Sequence, residues 1–530
     1  MRGIILAVAM LCMCAGPSRA GRQRPPVRGE VVLTADFEGP NALAGWSGSG
    51  TLDSGYQSSR ALRVEWLPGT SPSSAYSRFA LPVERLRGCV IRVSGMVRAE
   101  NVTDRPQPWN GIKMMLPITH PGGTLYPQAK VGTGTFAWKR IGCIVRVPSD
   151  ATSAVLHLGL EEVSGQVWFD DVRVVVVRPP AAAAPQRASG PVYRGHSLPR
   201  LRGTMISPDI APDNLRTLGQ EWNANVIRWQ LVRTNEQAAA QPDYDKWLDG
   251  ELARLDAALP YCRKYGLMVV LDLHSPPGGS ASAGGYAAAD ADMFSDKGCQ
   301  AKFVEVWQHL ARRYRGVEGI WGYDLANEPV EDTLAEGLDD WHGLAERAAR
   351  AIRAIDPERA IIVECAAGGN PDGFDGMEPL NVPNVIYSVH MYLPHAFTHQ
   401  GVFGPSPEVR YPGVIDGKRW DRAQLEVALK PVMEFQRKYG VHIYVGEFSA
   451  IRWAPDDSAY RYLKDLIDIF EANGWDWTYH AFREWDGWSV EHGSDRADNA
   501  VSKTPTSREI LLRSWFARNR HPAASGQKAP

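Results

Sequence analysis

Ile320-Trp321-Gly322-Tyr323-Asp324-Leu325-Ala326-Asn327-Glu328-Pro329 decides how the second half of this chain is read. Its front is a short, near-continuous apolar run, the composition of a strand buried on both faces. Its end is an amide, a carboxylate and a proline. Proline cannot donate to a sheet ladder and disfavours helical geometry in the residue before it. The strand is therefore expected to stop here, with Glu328 extended. Asn327 and Glu328 then stand at the carboxyl end of a strand, where parallel α/β folds carry their chemistry.

Outward from this stretch the same unit repeats. Strand-like runs occur at Leu201 to Ile206, Asn225 to Leu231, Leu267 to Leu273, Ala360 to Val363, Val385 to Val389, His442 to Val445 and Trp475 to Ala481. Between them lie amphipathic segments. Leu248, Leu252, Leu255 and Leu259 repeat at helical spacing, with Pro260 interrupting and Gly266 as a stop. Leu463, Leu466, Ile467 and Phe470 form another stripe, opened by Asp457 or Ser458 and closed by Gly474. Eight apolar strands, each followed by a helix, predict an α/β fold, a (β/α)8 barrel over residues 196–518. A doubly wound open sheet is the alternative. No Gly-rich phosphate loop follows an early strand, which disfavours it.

The first part of the chain has a different rhythm. Residues 30–178 hold short alternating runs separated by Gly, Pro, Ser and Asn, such as Ala61-Leu-Arg-Val-Glu-Trp66 and Cys89-Val-Ile-Arg-Val-Ser-Gly-Met-Val97. They predict a β-sandwich of jelly-roll type. Residues 179–195, rich in Pro and Ala, read as a linker. Arg2, the apolar run Ile4 to Cys14 and Ser18-Arg19-Ala20 read as a secretory signal over residues 1–20, implying a secreted or periplasmic protein. Cys12 and Cys14 leave a lipid anchor as an alternative. Residues 21–29 and 519–530 have the composition of disordered ends.

The full chain has 530 residues, 44% of them hydrophobic, and a net charge of −2. That balance implies no nucleic-acid or other polyanionic partner. Beyond the signal, Cys89, Cys143, Cys262, Cys299 and Cys365 lack zinc-site spacing. Cys89 and Cys143 fall in strand-like segments and are candidates for a disulfide. Eighteen tryptophans is a high count, consistent with core packing or with aromatic faces that stack on sugars.

The polar residues closing the strands should converge on one barrel face. They are Arg228, Asp272 and His274, Asn327 and Glu328, His390 and Tyr392, and Glu447. The eighth strand ends in Tyr479-His480-Ala481-Phe482-Arg483-Glu484-Trp485-Asp486-Gly487-Trp488. Two carboxylates in such a rim suit glycoside hydrolysis, one protonating the leaving oxygen and the other attacking the anomeric carbon. Arg228 and Tyr392 can keep Glu447 anionic, which leaves Glu328 as the acid. Asn327 is placed to hold the sugar 2-hydroxyl. His395 and His399 are read as solvated loop residues.

Asn225-Val-Ile-Arg228-Trp229, Leu271-Asp-Leu-His274, Leu325-Ala-Asn327-Glu328-Pro329, Ser388-Val-His390-Met-Tyr392 and Val445-Gly-Glu447-Phe448 together resemble glycoside hydrolase family 5. The resemblance implies a retaining β-glycosidase with Glu328 as acid/base and Glu447 as nucleophile. Arg228 and His390 would support the glutamates, Tyr392 would bond the nucleophile, and His274 would border the sugar at the cleavage point. Such families place a tryptophan at the end of strand eight, and here His480 holds that slot. Trp485 or Trp488 is then expected to supply the platform.

No cofactor or metal is required by this chemistry. A β-1,4-glucan is the expected substrate, with β-mannan, xyloglucan and β-1,3-glucan as alternatives within the fold. A catalytically dead polysaccharide-binding protein is the alternative outside it. A monomer whose partner is a polysaccharide is expected. The first domain resembles carbohydrate-binding modules of the galactose-binding-like superfamily, through Asp36-Phe37-Glu38-Gly39, Trp46 and Val167-Trp-Phe-Asp-Asp-Val-Arg-Val174. Trp109, Asn110, Tyr126 and Trp138 are candidates for its binding face, with Trp138 equally readable as core. The resemblance also makes Asp36, Glu38 and Asp170 candidates for a structural calcium.

Overall fold

The computed structural model describes residues 26–67, 69, 74–107, 109–180, 190–278, 293–331, 334–335 and 337–522. The signal segment 1–20, the middle of the linker and most of the loop Pro276 to Asp290 lie outside the described residues. Eight parallel strands close into a barrel. They are β1 (Arg202–Ile206), β2 (Val226–Gln230), β3 (Met268–Asp272), β4 (Ile320–Asp324), β5 (Ala360–Glu364), β6 (Val385–Met391), β7 (Ile443–Phe448) and β8 (Asp476–Phe482). All eight expected strands form. They are apolar along most of their length because helices cover them outside and side-chain layers fill the barrel inside. One inner layer is built from Leu201, Val226, Val270, Trp321, Ile362, Ile386 and Tyr444.

The major helices start where an acidic or hydroxyl side chain can satisfy free amides. Asp243, Asp296, Asp340, Asp421 and Thr506 cap α1 (Tyr244–Lys264), α2 (Lys297–Tyr314), α3 (Trp341–Arg353), α4 (Arg422–Tyr439) and a later helix, Ser507–Phe516. Pro260 does not end α1. It lies on the exposed side, so one solvent-side hydrogen bond is lost while the buried stripe Leu248, Leu252, Leu255 and Leu259 stays continuous. The helix Ser458–Asn473 ends at Gly474, whose φ of +79° places it in the left-handed region.

The N-terminal domain consists of two six-stranded antiparallel sheets around a shared core that includes Leu62, Val93, Val97, Leu156, Leu158 and Phe169. Cys89 and Cys143 are both buried and unpaired. Cys143 lies opposite Val93 in the ladder, four positions from Cys89. Four residues along a strand span about 13 Å, beyond the reach of a disulfide. Trp138 is on the sheet opposite to the one that carries Asn110 and its partner Glu161, so the four binding-face candidates do not share a surface. Asp36, Glu38 and Asp170 form no cluster among the described residues. Glu38 accepts from Ser59 Oγ and Arg60 N, and Asp170 from Tyr56 N and Ser58 Oγ. No described helix is long and apolar enough to cross a membrane.

The described parts of both ends expected to be disordered are held against the barrel. Pro26 is buried, and Arg28 pairs with Asp339 of the barrel at 2.9 Å. At the other end, Asn519 is buried, donating to the Arg202 and Asn223 carbonyls at 3.1 and 3.0 Å and accepting from Arg202 Nη1 at 3.0 Å. His521 follows it onto Asn223 at 2.7 Å. Both ends are polar, yet each finds hydrogen-bond partners on the barrel. Asn519→Ala is therefore expected to cost about 1–3 kcal/mol of stability, read as a lower denaturation midpoint. An unchanged midpoint would mean the tail contributes nothing.

Candidate active site

Register across the barrel brings the strand ends into one layer. Gln230, Asp272 and Asp324 are neighbours across β2, β3 and β4, and His390 lies directly opposite Glu447 across β6 and β7. Arg228, two residues before the end of β2, is fully buried. Its guanidinium faces four carboxylates, with Nη1 2.5 Å from Glu447, Nη2 3.1 Å from Asp272 and 3.2 Å from Glu364, and Nε donating to Asp324 at 3.0 Å. Nη2 also donates to Asn327 Oδ1 at 3.0 Å. One guanidinium cannot balance four buried anions. Burial, reinforced by Glu364 and Asp272, raises the Asp324 carboxyl well above the usual range in spite of Arg228.

Glu328 is not extended. Its φ is +44°, a left-handed conformation that costs a non-glycine residue about 1–3 kcal/mol. Pro329 excludes the right-handed helical region, but the surroundings choose the remaining one. Glu328 N donates to Glu364 Oε2 at 2.9 Å, and Glu328 Oε1 meets His390 Nδ1 at 2.8 Å. The far nitrogen, His390 Nε2, lies 3.1 Å from Glu364 Oε1. Each ring nitrogen of His390 therefore faces a carboxyl group, Glu328 on one side and Glu364 on the other. Burial would depress the His390 pKa, but Glu364 and Glu447 overcome this and raise it well above normal.

Glu447 is held from three sides. Besides Arg228, Tyr392 Oη donates to its Oε2 at 2.8 Å, and His480 Nδ1 stands 3.4 Å from the same oxygen. Burial opposes ionisation, but the charges of His390, His480, Arg228 and His274 outweigh it and hold the carboxyl far below the usual range. One carboxylate oxygen of Glu447, one of Glu328 and a ring nitrogen of His390 lie within 4.8 Å of one another. His274 Nδ1 bonds Asp272 Oδ2 at 2.8 Å.

The end of β8 is polar at His480, and the aromatic rings of Trp485 and Trp488 lie in the loop beyond it. Tyr392 has a single proton and gives it to Glu447, so the 2.5 Å contact between His480 Nδ1 and Tyr392 Oη requires His480 to donate. His480 Nε2 faces Glu484 Oε1 at 3.4 Å, and Gln230 Nε2 donates to Glu484 Oε2 at 3.0 Å. Burial pulls the His480 pKa down, but Glu447 and Glu484 raise it overall. The Trp488 ring lies 5.8 Å from that of His480 and 6.2 Å from that of Tyr392. Trp485 stands further out, 39% exposed and edge-on to Trp488.

The nine residues singled out from the sequence, Glu328, Glu447, Arg228, His274, Asn327, His390, Tyr392, His480 and Trp485, thus surround one barrel mouth, with Trp485 at its rim. Sequence reasoning missed Asp324, Glu364, Gln230 and Glu484. The signal for Glu364 was present in Ala360-Ile-Ile-Val-Glu364, an apolar run closed by an acid like the one before Glu447. His395 and His399 stack near Tyr392 and join no described metal-capable cluster.

The model of the cellulase family, glycosyl hydrolase family 5, matches residues 193–486. Endoglucanase C of Acetivibrio thermocellus is 28% identical over 259 residues, covering 43% of this chain and 72% of that protein. Cellodextrinase A of Ruminococcus flavefaciens is 25% identical over 268 residues, covering 48% and 73%. A solved glycoside hydrolase superimposes with a TM-score of 0.50 at 25% identity, covering 60% of this chain and 99% of that one.

Removing the His480 charge removes a cation that favours ionised Glu447. The Glu447 carboxyl pKa therefore rises in His480→Gln, and the acidic limb of the pH–activity profile moves to higher pH. A limb at the wild-type position would mean His480 is neutral at the site.

Proposed function

Since the chain belongs to the cellulase family, glycosyl hydrolase family 5, and is a β-glycosidase hydrolysing O-glycosyl bonds, we propose that it cleaves a β-1,4-glucan by double displacement, with Glu447 as nucleophile and Glu328 as acid/base. One observation carries this reading. Two carboxylates approach within 4.8 Å, and only one of them is wrapped by Arg228, Tyr392 and His480. Retaining enzymes hold their carboxyl groups about 5–5.5 Å apart, whereas inverting ones leave about 6.5–9.5 Å for a water.

Glu447, kept anionic by burying its charge among cations, attacks the anomeric carbon while Glu328 protonates the departing glycosidic oxygen. A covalent glycosyl-enzyme results, and Glu328 then takes a proton from the water that releases it. Asn327 Oδ1 is committed to Arg228, which leaves Nδ2 as the donor for the sugar 2-hydroxyl. His390, in contact with Glu328 Oε1 through Nδ1, fixes Glu328 toward the glycosidic oxygen. His274 borders the sugar bound at the cleavage point, and Trp488 lies beneath it. Trp485, at the exposed rim, stacks on the next sugar along.

Glu328→Gln and Glu447→Gln should each lower hydrolysis roughly 10²–10⁴-fold while leaving substrate binding intact. A 2-fluoro glycoside should label Glu447, detected by mass spectrometry of the peptide. Product of inverted anomeric configuration would rule out the double displacement.

We also propose that the N-terminal domain binds glycan at Trp109 and Tyr126, which are each 61% exposed. Lys113 Nζ donates to the Trp109 carbonyl and to Gln128 Oε1, two residues from Tyr126, which supports a single aromatic patch. Trp109→Ala should weaken retention on insoluble glucan without changing turnover of a soluble oligosaccharide. Equal retention of variant and wild type would discard this patch.

A further inference from the structure

The connection that leaves Glu328 is gripped by the other domain. It runs from Pro329 to the start of α3 at Trp341. Arg178, at the end of the last sandwich strand, sets its Nε 3.2 Å from Asp340 Oδ2, and that carboxylate is almost fully buried. Arg28 pairs with Asp339 at 2.9 Å and donates to the Gly337 and Leu338 carbonyls at 3.1 and 2.8 Å. Arg92 reaches the Leu334 carbonyl at 3.4 Å. Between these polar contacts, Ile144 and Val177 of the sandwich pack against the barrel core cluster that contains Leu334 and Leu338.

From this connection, contacts lead directly to the acid/base. Asp340 Oδ1 caps α3 at Gly343 N, and Glu331 Oε2 accepts from Trp341 N at 2.5 Å. Trp341 Nε1 donates to the Glu364 carbonyl at 2.8 Å. Glu364 Oε2 in turn receives Glu328 N at 2.9 Å, the bond that accompanies the left-handed backbone of Glu328. Gly368 N bonds the Pro329 carbonyl at 3.1 Å. The barrel also holds Asp339, through Gln300 and through Arg347 at 3.4 Å. Asp340, by contrast, has Arg178 as the only ion-pair partner found among the described residues.

We propose that Arg178 and Arg28 of the sandwich are positioning residues for Glu328, so that the two domains form one catalytic unit and the sandwich is more than a tethered glycan binder. This rests on the assignment of Glu328 as acid/base. A strained residue at the exit of β4 keeps its conformation only while its surroundings over-determine it. A neutralised Asp340–Arg178 contact loosens the start of α3, hence Trp341, Glu364 and the backbone amide of Glu328.

Proton donation matters for a poor leaving group and is dispensable for an activated one. The test therefore uses full-length Arg178→Met and Arg28→Met with two aryl β-cellobiosides, one carrying a dinitrophenyl and one a phenyl leaving group. In Arg178→Met, kcat/KM for the phenyl substrate should fall roughly tenfold, with the dinitrophenyl substrate within about twofold, and Arg178→Lys should restore most of the loss. Arg28→Met alters a half-exposed side chain, folds in any case, and should show the same selectivity at roughly threefold. Equal losses on both substrates, or none, overturn the proposal. Glu328→Gln measured in parallel separates the two readings. If it shows leaving-group selectivity and the arginine variants do not, the positioning role alone fails. If Glu328→Gln lacks that selectivity, the acid/base assignment fails and takes the proposal with it.

Discussion

Everything at the barrel mouth depends on a single buried guanidinium among too many acids. Arg228 meets Asp272, Asp324, Glu364 and Glu447 at 2.5–3.2 Å without solvent to screen them. Burying four ionised carboxylates against one cation would cost more than any packing around it could return. The site relieves this in two ways. Asp324 is driven toward its protonated form, and histidines bring further positive charge. His390 lies against Glu364 and Glu328, and His480 lies between Glu447 and Glu484. Removing Arg228 would disturb the charge state of the whole layer, beyond the loss of one hydrogen bond.

Much of this was legible in the sequence, for physical reasons. Apolar runs of four to seven residues followed by helical stripes are what a barrel strand buried on both faces must look like, and all eight appeared where expected. Polar residues at the ends of such runs had to meet, because barrel closure leaves them nowhere else to point. What could not be read is what depends on pairing between distant strands. Glu364 looked like any acid at the end of a run, and its value comes from joining Arg228, His390 and the Glu328 amide at once. Glu328 itself was expected to be extended because proline acts locally, and the contacts that hold it left-handed come from β5 and β6. The described residues at the two chain ends depend on the fold in the same way. Arg28 and Asn519 are polar residues in polar segments, and only the fold supplies Asp339 and the Arg202 carbonyl for them to bind.

The end of β8 places a histidine, His480, beside Glu447. An indole in the His480 slot could stack on a sugar but could not link Tyr392 to Glu484. With histidine there, a line of hydrogen-bonding contacts runs from Gln230 through Glu484, His480 and Tyr392 to Glu447. Each donor in that line is fixed once Glu484 and Glu447 are taken as acceptors. The line makes the charge of the proposed nucleophile sensitive to groups on β2 and beyond β8. Beyond it Trp488 packs against His480, His399 and Tyr392. The end of β8 is therefore polar, with aromatic surface supplied by the loop beyond it. A sugar that presents hydroxyls toward β8 gains donors and acceptors there, whereas one that offers only a flat apolar face gains little.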